Sequence, residues 1–249
     1  METISKPSKF AWQQGDSSNR KTLVIEPLFP GYGTTLGNAL RRVLLNSLPG
    51  AAVVAVRIDG VSHEFSTIEN VKEDIVEILL NIKQLRFRLH GDEPVTVRLN
   101  ARGAKTVTAA DIEPNAQVEV ASSEQVIATL TAKDARLSME FTIERGRGYV
   151  PTETRDTKQK LAIGTIAVDA IFTPVRSVGV HLENVRVGQM TNYDKLQLAV
   201  ETDGTVSPQE AVEQSLAILI DQFQFLQTLS TGQGVVVEQE APLESTDQP

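Results

Sequence analysis

Two adjacent arginines, Arg41 and Arg42, interrupt the apolar stretch GTTLGNALRRVLLNSLPG (33–50) of a 249-residue chain whose formal charge is −8. A guanidinium presents several donors in a flat fork on an apolar stem, so it suits directed hydrogen bonding at a surface that a partner covers. A second run, RGRGYVP at Arg145–Pro151, sets two arginines among glycines before an aromatic ring and a proline. That composition describes an ordered loop closing a strand. It suits either a phosphate or a protein contact, and with 32 acidic residues against 24 basic ones the protein contact fits better, because nonspecific nucleic-acid affinity needs clustered Lys and Arg.

Other chemistries are poorly supplied. Gly31, Gly33 and Gly37 in VIEPLFPGYGTTLGNAL imitate a dinucleotide-binding turn, but the spacing is G-x-G-x-x-x-G and no succession of βαβ units follows. No Gly-Lys-Ser/Thr phosphate loop and no G-x-S-x-G nucleophile elbow occurs. The carboxylates of VKED and EQEA read as solvated charge. There are no cysteines, which excludes disulfides and thiolate metal sites. His63, His90 and His181 are far apart and form no H-x-x-x-H pair. No catalytic site, metal or cofactor is expected. The amino terminus lacks the apolar run of a signal peptide and no segment has the length of a membrane span, so a soluble, cytoplasmic protein is expected.

The elements that must position the arginines follow from periodicity. A first helix is predicted over Thr35–Leu48, capped by Thr34 or Thr35 and stopped by Pro49-Gly50. A second runs from a capping box at Asn70 and Glu73 to about Leu85, with Val71, Ile75, Ile78, Leu79 and Ile82 as its stripe. A third opens with Ser207-Pro208-Gln209-Glu210 and continues to about Leu229. Strands are predicted at Ala51–Ile58, Val95–Leu99, Gln117–Val120, Val126–Leu130, Leu137–Ile143, Ile163–Phe172, Ser177–Val187 and Lys195–Thr202. The class is α+β with much antiparallel sheet. From Gly232 the chain reads as a flexible acidic tail or the start of a linker.

Spacing divides the first helix into two faces. Leu36, Leu40, Val43 and Leu44 form a core stripe, while Asn38, Arg42 and Leu45, with Arg41 beside them, form a candidate contact face. Gly37 suggests close approach by another backbone, since glycine inside a helix costs about 1 kcal/mol relative to alanine. In the last helix Val212, Leu216, Leu219, Ile220, Phe223 and Leu226 make one stripe. Ala211, Ile218, Phe225 and Leu229 occupy the other side, which needs a partner. A homodimer with Leu36, Gly37, Ile218, Phe225 and Leu229 at its interface is expected in preference to burial inside a larger monomeric core.

FPGYGTTLGNALRRVLLNSLPG, IDGVSHEFSTIENVKEDIVEILLNIK, RGRGYVP and VDAIFTPV occur in that order, and together they closely resemble the amino-terminal domain of bacterial DNA-directed RNA polymerase alpha subunits. The likeness covers Leu23 to about Leu229. It implies a dimerisation subdomain from residues 1–49 and 175–232, an inserted β-rich subdomain at 50–174, and a flexible tail at 233–249. It also implies a non-catalytic scaffold: the homodimer recruits the beta subunit, then beta prime, and omega accompanies the finished enzyme, a nucleotidyltransferase associated with the nucleoid. The family's LGNALRR arginine that contacts beta falls on Arg42, with Leu45 a turn on. Lys83, Glu77 and Val168 match positions near large-subunit contacts. DNA contact is expected only through the assembled enzyme or through the carboxy-terminal domain that family members usually carry beyond the equivalent of Pro249. A nicotinamide-dependent enzyme and a stand-alone β-rich homodimeric module are the competing readings.

Overall fold

The computed structural model describes residues 4–154 and 164–230. Ile163, where one strand was expected to begin, and the tail from residue 231 lie outside the described residues. In chain order the strands are β1 (Lys9–Gln14), β2 (Arg20–Leu28), β3 (Pro49–Ile58), β4 (Phe87–Leu89), β5 (Val95–Arg102), β6 (Lys105–Thr108), β7 (Val118–Val120), β8 (Val126–Leu130), β9 (Arg136–Arg147), β10 (Tyr149–Val150), β11 (Thr165–Ala167), β12 (Ala170–Ile171), β13 (Val175–Val187) and β14 (Met190–Thr202). The helices are α1 (Tyr32–Asn46), α2 (Ile75–Ile82) and α3 (Pro208–Ser230). The paired strands are antiparallel, as the α+β reading requires.

Two hydrophobic cores form, and they draw on different parts of the chain. One sheet has the order β1-β2-β14-β13, and α1 with the start of α3 lies on it. Leu23, Leu40, Leu44, Leu48, Leu196, Leu198 and Val212 are buried together there. The second sheet has the order β5-β9-β3-β4-β7, with β11 on β3. Ile75, Ile78 and Ile82 of α2 pack onto Val56, Phe87, Leu99, Phe141 and Ile143 of that sheet. Alternation is clean along β5, whose buried residues are every second one, the signature of a sheet with one solvated face. In β3 nearly every residue is buried. Its far side carries a third cluster of Ala52, Val54 and Ala55 with Ala170 and Phe172, and a register shift between Val53 and Ala55 returns Val56 and Ile58 to the main core.

The chain passes between the cores at Leu48–Ala51 and again at Phe172–Val175, and these two passages touch. A side chain on Gly50 would collide with the Phe172 carbonyl and stand 3.5 Å from Pro174. A polar tie lies elsewhere along the same boundary. Arg86 Nε sits 3.3 Å from Asp203 Oδ2, with side chains only 15% and 4% exposed, in an ion pair that lacks hydrogen-bond alignment at Nε. The Arg86 Nη1 donates to the carbonyls of Lys83 and Leu85, and Arg88 donates from Nε and Nη2 to the Thr205 carbonyl. Burial pushes the Arg86 pKa down and the Asp203 charge opposes it.

The helix starts differ from expectation in two cases of three. Helix α1 begins three residues early, at Tyr32, after Gly31 in the left-handed region (φ 86°) and without a threonine cap. Its first amides are satisfied from afar: Asp194 Oδ2 accepts from Gly31 N at 2.9 Å and Gly33 N at 3.0 Å. Helix α2 begins at Ile75, not Asn70, because Asp74 is the cap that accepts from Glu77 N at 2.7 Å. Asn70 instead turns at φ 61°, and Glu73 accepts from the amide and hydroxyl of Thr129 on β8. Helix α3 starts as read: Ser207 and Glu210 exchange both capping-box bonds, at 2.8 and 3.2 Å.

Candidate functional site

On α1 the polar face is as the spacing suggested in part. Asn38, Arg41 and Arg42 are exposed, and the two arginines have no hydrogen-bond or ion-pair partner among the described residues. Three placements require correction. Leu45 is half-buried and packs on the protomer's own core, so it does not stand out beside Arg42. Leu36 is 38% exposed, and the residues that seat the helix are Gly33, Gly37, Leu40 and Leu44. Gly37, placed at the interface between copies, is buried within one chain: a Cβ there would come 2.8 Å from Val180 and 3.1 Å from Leu196. The close approach that its missing side chain permits is to β13 and β14 of the same molecule.

The division of α3 also changes. Pro208, Ala211, Val212 and Ser215 are its buried residues, with Ile218 and Leu219 half-buried on the same core. Ile218, expected to face a partner, is half-buried against the protomer's own core. Small residues make this close contact possible, and the Ser215 hydroxyl is satisfied by the Ala211 carbonyl at 2.8 Å. Beyond that point the sheet no longer covers the helix. Leu216, Ile220 and Phe223 fall at i, i+4 and i+7 on one side, Leu226 is near them, and Phe225 lies opposite. Ile220, Phe223, Phe225 and Leu226 are 53–62% exposed. Leu229 is half-buried.

A third feature joins α2 to the segment that follows β11. A groove of about 250 Å³ is lined by Phe65, Val76, Leu80, Lys83, Thr152, Val168 and Asp169, among others. Lys83 Nζ donates to Asp169 Oδ2 at 2.9 Å and Thr152 N donates to Asp169 Oδ1 at 2.9 Å. The Thr152 amide, then Lys83, hold the Asp169 carboxyl down at about 2. Val168 is 2% exposed and donates its amide to the Val54 carbonyl, so it forms the floor of the groove rather than an outward contact. Glu77 is exposed on α2, outside the groove lining. Lys83 and Val168, distant in sequence, thus meet at one place. Phe65, Val76 and Leu80, at 80%, 41% and 53% exposure, were missed. The signal for two of them was present, since Val76 and Leu80 are i, i+4 neighbours off the buried stripe.

The glycine turn before α1 is unsuited to a dinucleotide. Its amides face the Asp194 carboxylate, which occupies the position that a pyrophosphate would need and repels it. The sheet behind it is antiparallel. Among the described residues, no helix is long and apolar enough to cross a membrane.

The molecule is thus an antiparallel α+β protein with two cores, an exposed arginine-bearing helix face and a long helix with apolar side chains exposed on more than one side. Comparison with known proteins makes this specific. The family described as RNA polymerase Rpb3/RpoA insert domain matches residues 56–173. The DNA-directed RNA polymerase subunit alpha of Alkaliphilus oremlandii is 53% identical over 206 residues, 83% of this chain and 64% of that protein. Those of Clostridium kluyveri and Carboxydothermus hydrogenoformans are each 49% identical, over 230 and 243 residues. These alignments cover 92% and 96% of this chain, and 72% and 76% of the relatives. The chain belongs to the family of bacterial DNA-directed RNA polymerase alpha subunits.

Proposed function

We propose that the chain is a non-catalytic, cytoplasmic scaffold that homodimerises and assembles the beta and beta prime subunits, with omega, into a DNA-directed RNA polymerase. Residues 1–49 and 175–232 act as the dimerisation subdomain and 50–174 as the inserted one. Nucleotidyl transfer belongs to the large subunits. The observation that carries this reading is the second half of α3, whose apolar side chains are exposed on opposite sides. Apolar side chains exposed on two sides of a helix leave surface that gains from being covered, and each such side chain is worth about 1.5–3 kcal/mol when fully covered. A second copy supplies matching cover by symmetry. Leu36, Phe225 and Leu229 join Phe223 and Ile220 at this interface.

Recruitment of beta falls to Arg42, with Asn38 and Arg41 beside it, and the α2 groove with Lys83 and Val168, together with Glu77 exposed outside it on the same helix, receives a large subunit. Because Ile218 supports the protomer's own core, the dimer is tested with Phe223→Asp and Phe225→Asp together. The double variant should sediment as a folded monomer in analytical ultracentrifugation, and a stable dimer would refute the interface. Arg42→Ala should melt like the parent and remain dimeric, yet capture beta about 30-fold or more weakly, as expected for truncation of an arginine anchor. Normal capture by Arg42→Ala would refute the recruiting face.

A further inference from the structure

The RGRGYVP loop lies beside the arginine face of α1, and nothing in the proposed assembly has yet used it. In the sheet, Arg147 pairs with Pro49 and Arg145 with Ala51, so the end of β9 runs alongside the exit from α1. Gly148, at φ 64°, seats against the last turn of the helix: a Cβ there would come 2.6 Å from Asn46 Oδ1. Asn46 is one helical turn from Arg42, on the same side. Arg42 and Asn46 are both exposed, and Asn46 covers the buried Gly148, whose chain neighbours Arg147 and Tyr149 are exposed on either side of it.

The orientation of the arginines follows from the strand. Gly146 faces inward, where a Cβ would stand 2.6–2.8 Å from the Phe172 ring. Arg145 and Arg147, one residue to either side, face the other way and are exposed, as is Tyr149. Several arginines answer carboxylates: Arg57 and Arg98 pair with Glu140, Arg86 with Asp203, Arg88 with Glu119, while Arg102, Arg136, Arg176 and Arg186 have no carboxylate partner among the described residues. Arg41, Arg42 and Arg147 have no such partner among the described residues. Arg145 donates to Asp92 at 2.8 Å, but that carboxylate is 87% exposed and contributes little hold. A local positive surface thus stands on a chain of formal charge −8.

We propose that Arg145, Arg147 and Tyr149 extend the Arg42 face into one docking surface that takes an acidic segment of the same large subunit. The inference rests on the reading of Arg42 given above. Four guanidinium groups beside an exposed ring fit a short acidic peptide bearing an apolar residue: the forks take carboxylates in pairs and the tyrosine covers the apolar neighbour. A nucleic acid is disfavoured, because strong backbone binding needs many phosphate contacts and the rest of the molecule is acidic. Charges at the edge of an interface act largely on encounter rate and salt dependence.

The test compares capture of beta by the alpha dimer for Arg147→Glu, Arg147→Gln and Arg42→Ala at low and high salt, with melting and sedimentation as controls. Arg147→Glu is expected to stay dimeric, to melt like the parent and to capture beta about 10-fold more weakly at low salt, with the deficit shrinking at high salt. Arg147→Gln, which adds no repulsion, is expected to fall between. If both Arg147 variants capture beta normally while Arg42→Ala does not, the extension is wrong and the recruiting face stands. If Arg42→Ala also captures normally, both fall. Unchanged capture with weakened binding of a labelled single-stranded RNA would overturn the protein partner in favour of nucleic acid.

Discussion

Asp194 caps a helix remote from it in sequence, lying 161 residues from Gly33, the nearer of the two amides it accepts from. The cap is charge-assisted and faces the positive end of α1, so Asp194→Ala should cost about 1–2 kcal/mol and Asp194→Asn less, read from urea unfolding. Such a cap is not legible in sequence, because nothing near Gly31 signals it. The local caps were legible where they are local: Ser207 with Glu210 is found as spaced, whereas Asn70 with Glu73 has the same spacing and serves β8 instead. Asp169 offers a second test at this scale. Its folded pKa of about 2 lies below the unfolded value of about 4, so its contribution is present above about pH 4 and is lost as pH falls toward 2. The stability gap between the parent and Asp169→Asn should therefore be widest above pH 4 and narrow steadily in acid, measured by unfolding at a series of pH values.

Helices α1 and α3 differ in how well the pattern of large apolar residues describes them. Both are seated through small residues: Gly33 and Gly37 on β13 and β14, and Ala211 and Ser215 at the start of α3. Counting large apolar residues therefore placed Leu40, Leu44 and Val212 in the core correctly, added Leu36 and Leu216, which are exposed, and did not mark Gly33 or Ser215, which help seat the helices. Glycine at 33 is demanded by packing, since a Cβ would meet Leu182 at 2.6 Å and Asp194 Cβ at 2.9 Å. Gly33→Ala should lower the melting temperature despite the gain of about 1 kcal/mol in helix propensity, because overpacking costs about 1–3 kcal/mol. A melting temperature equal to or above the parent's would show that the sheet yields. Among strands, β5 and β9 were readable from alternation. β2 was not, because Leu23, Val24 and Ile25 are buried in succession and leave no period of two.

At the scale of the whole molecule the two cores are joined by the paired passages near Gly50 and by the tie of Arg86 and Arg88 to the β14–α3 turn. Removing one member of a largely buried ion pair leaves the other charge stranded, at about 3–5 kcal/mol. Asp203→Ala should show that loss in denaturant unfolding, while replacing Arg86 and Asp203 together by Met and Leu should recover most of it. Recovery failing in the double variant would mean that the Asp203 turn, which accepts from the amide and hydroxyl of Thr205, carries the effect. The four motifs that carry the family resemblance lie between Phe29 and Val175, so the return of the chain to the first core through β13, β14 and α3 had to be read from periodicity. The tie itself was invisible, since Arg86 and Asp203 are remote and belong to no motif.

Because the first core takes Leu23–Leu48 from one end of the chain and Val175–Val212 from the other, its assembly is a matter of timing on the ribosome. The residues of the second core are complete once Val168 has emerged, and they can close early. At roughly 5–20 residues per second, α1 waits on the order of 10–30 s for β13 and β14. During that interval Leu40 and Leu44 have no sheet to cover them. Limited proteolysis of stalled nascent chains should find the segment around α1 cleavable until about residue 200 is clear of the exit tunnel, and protected afterwards.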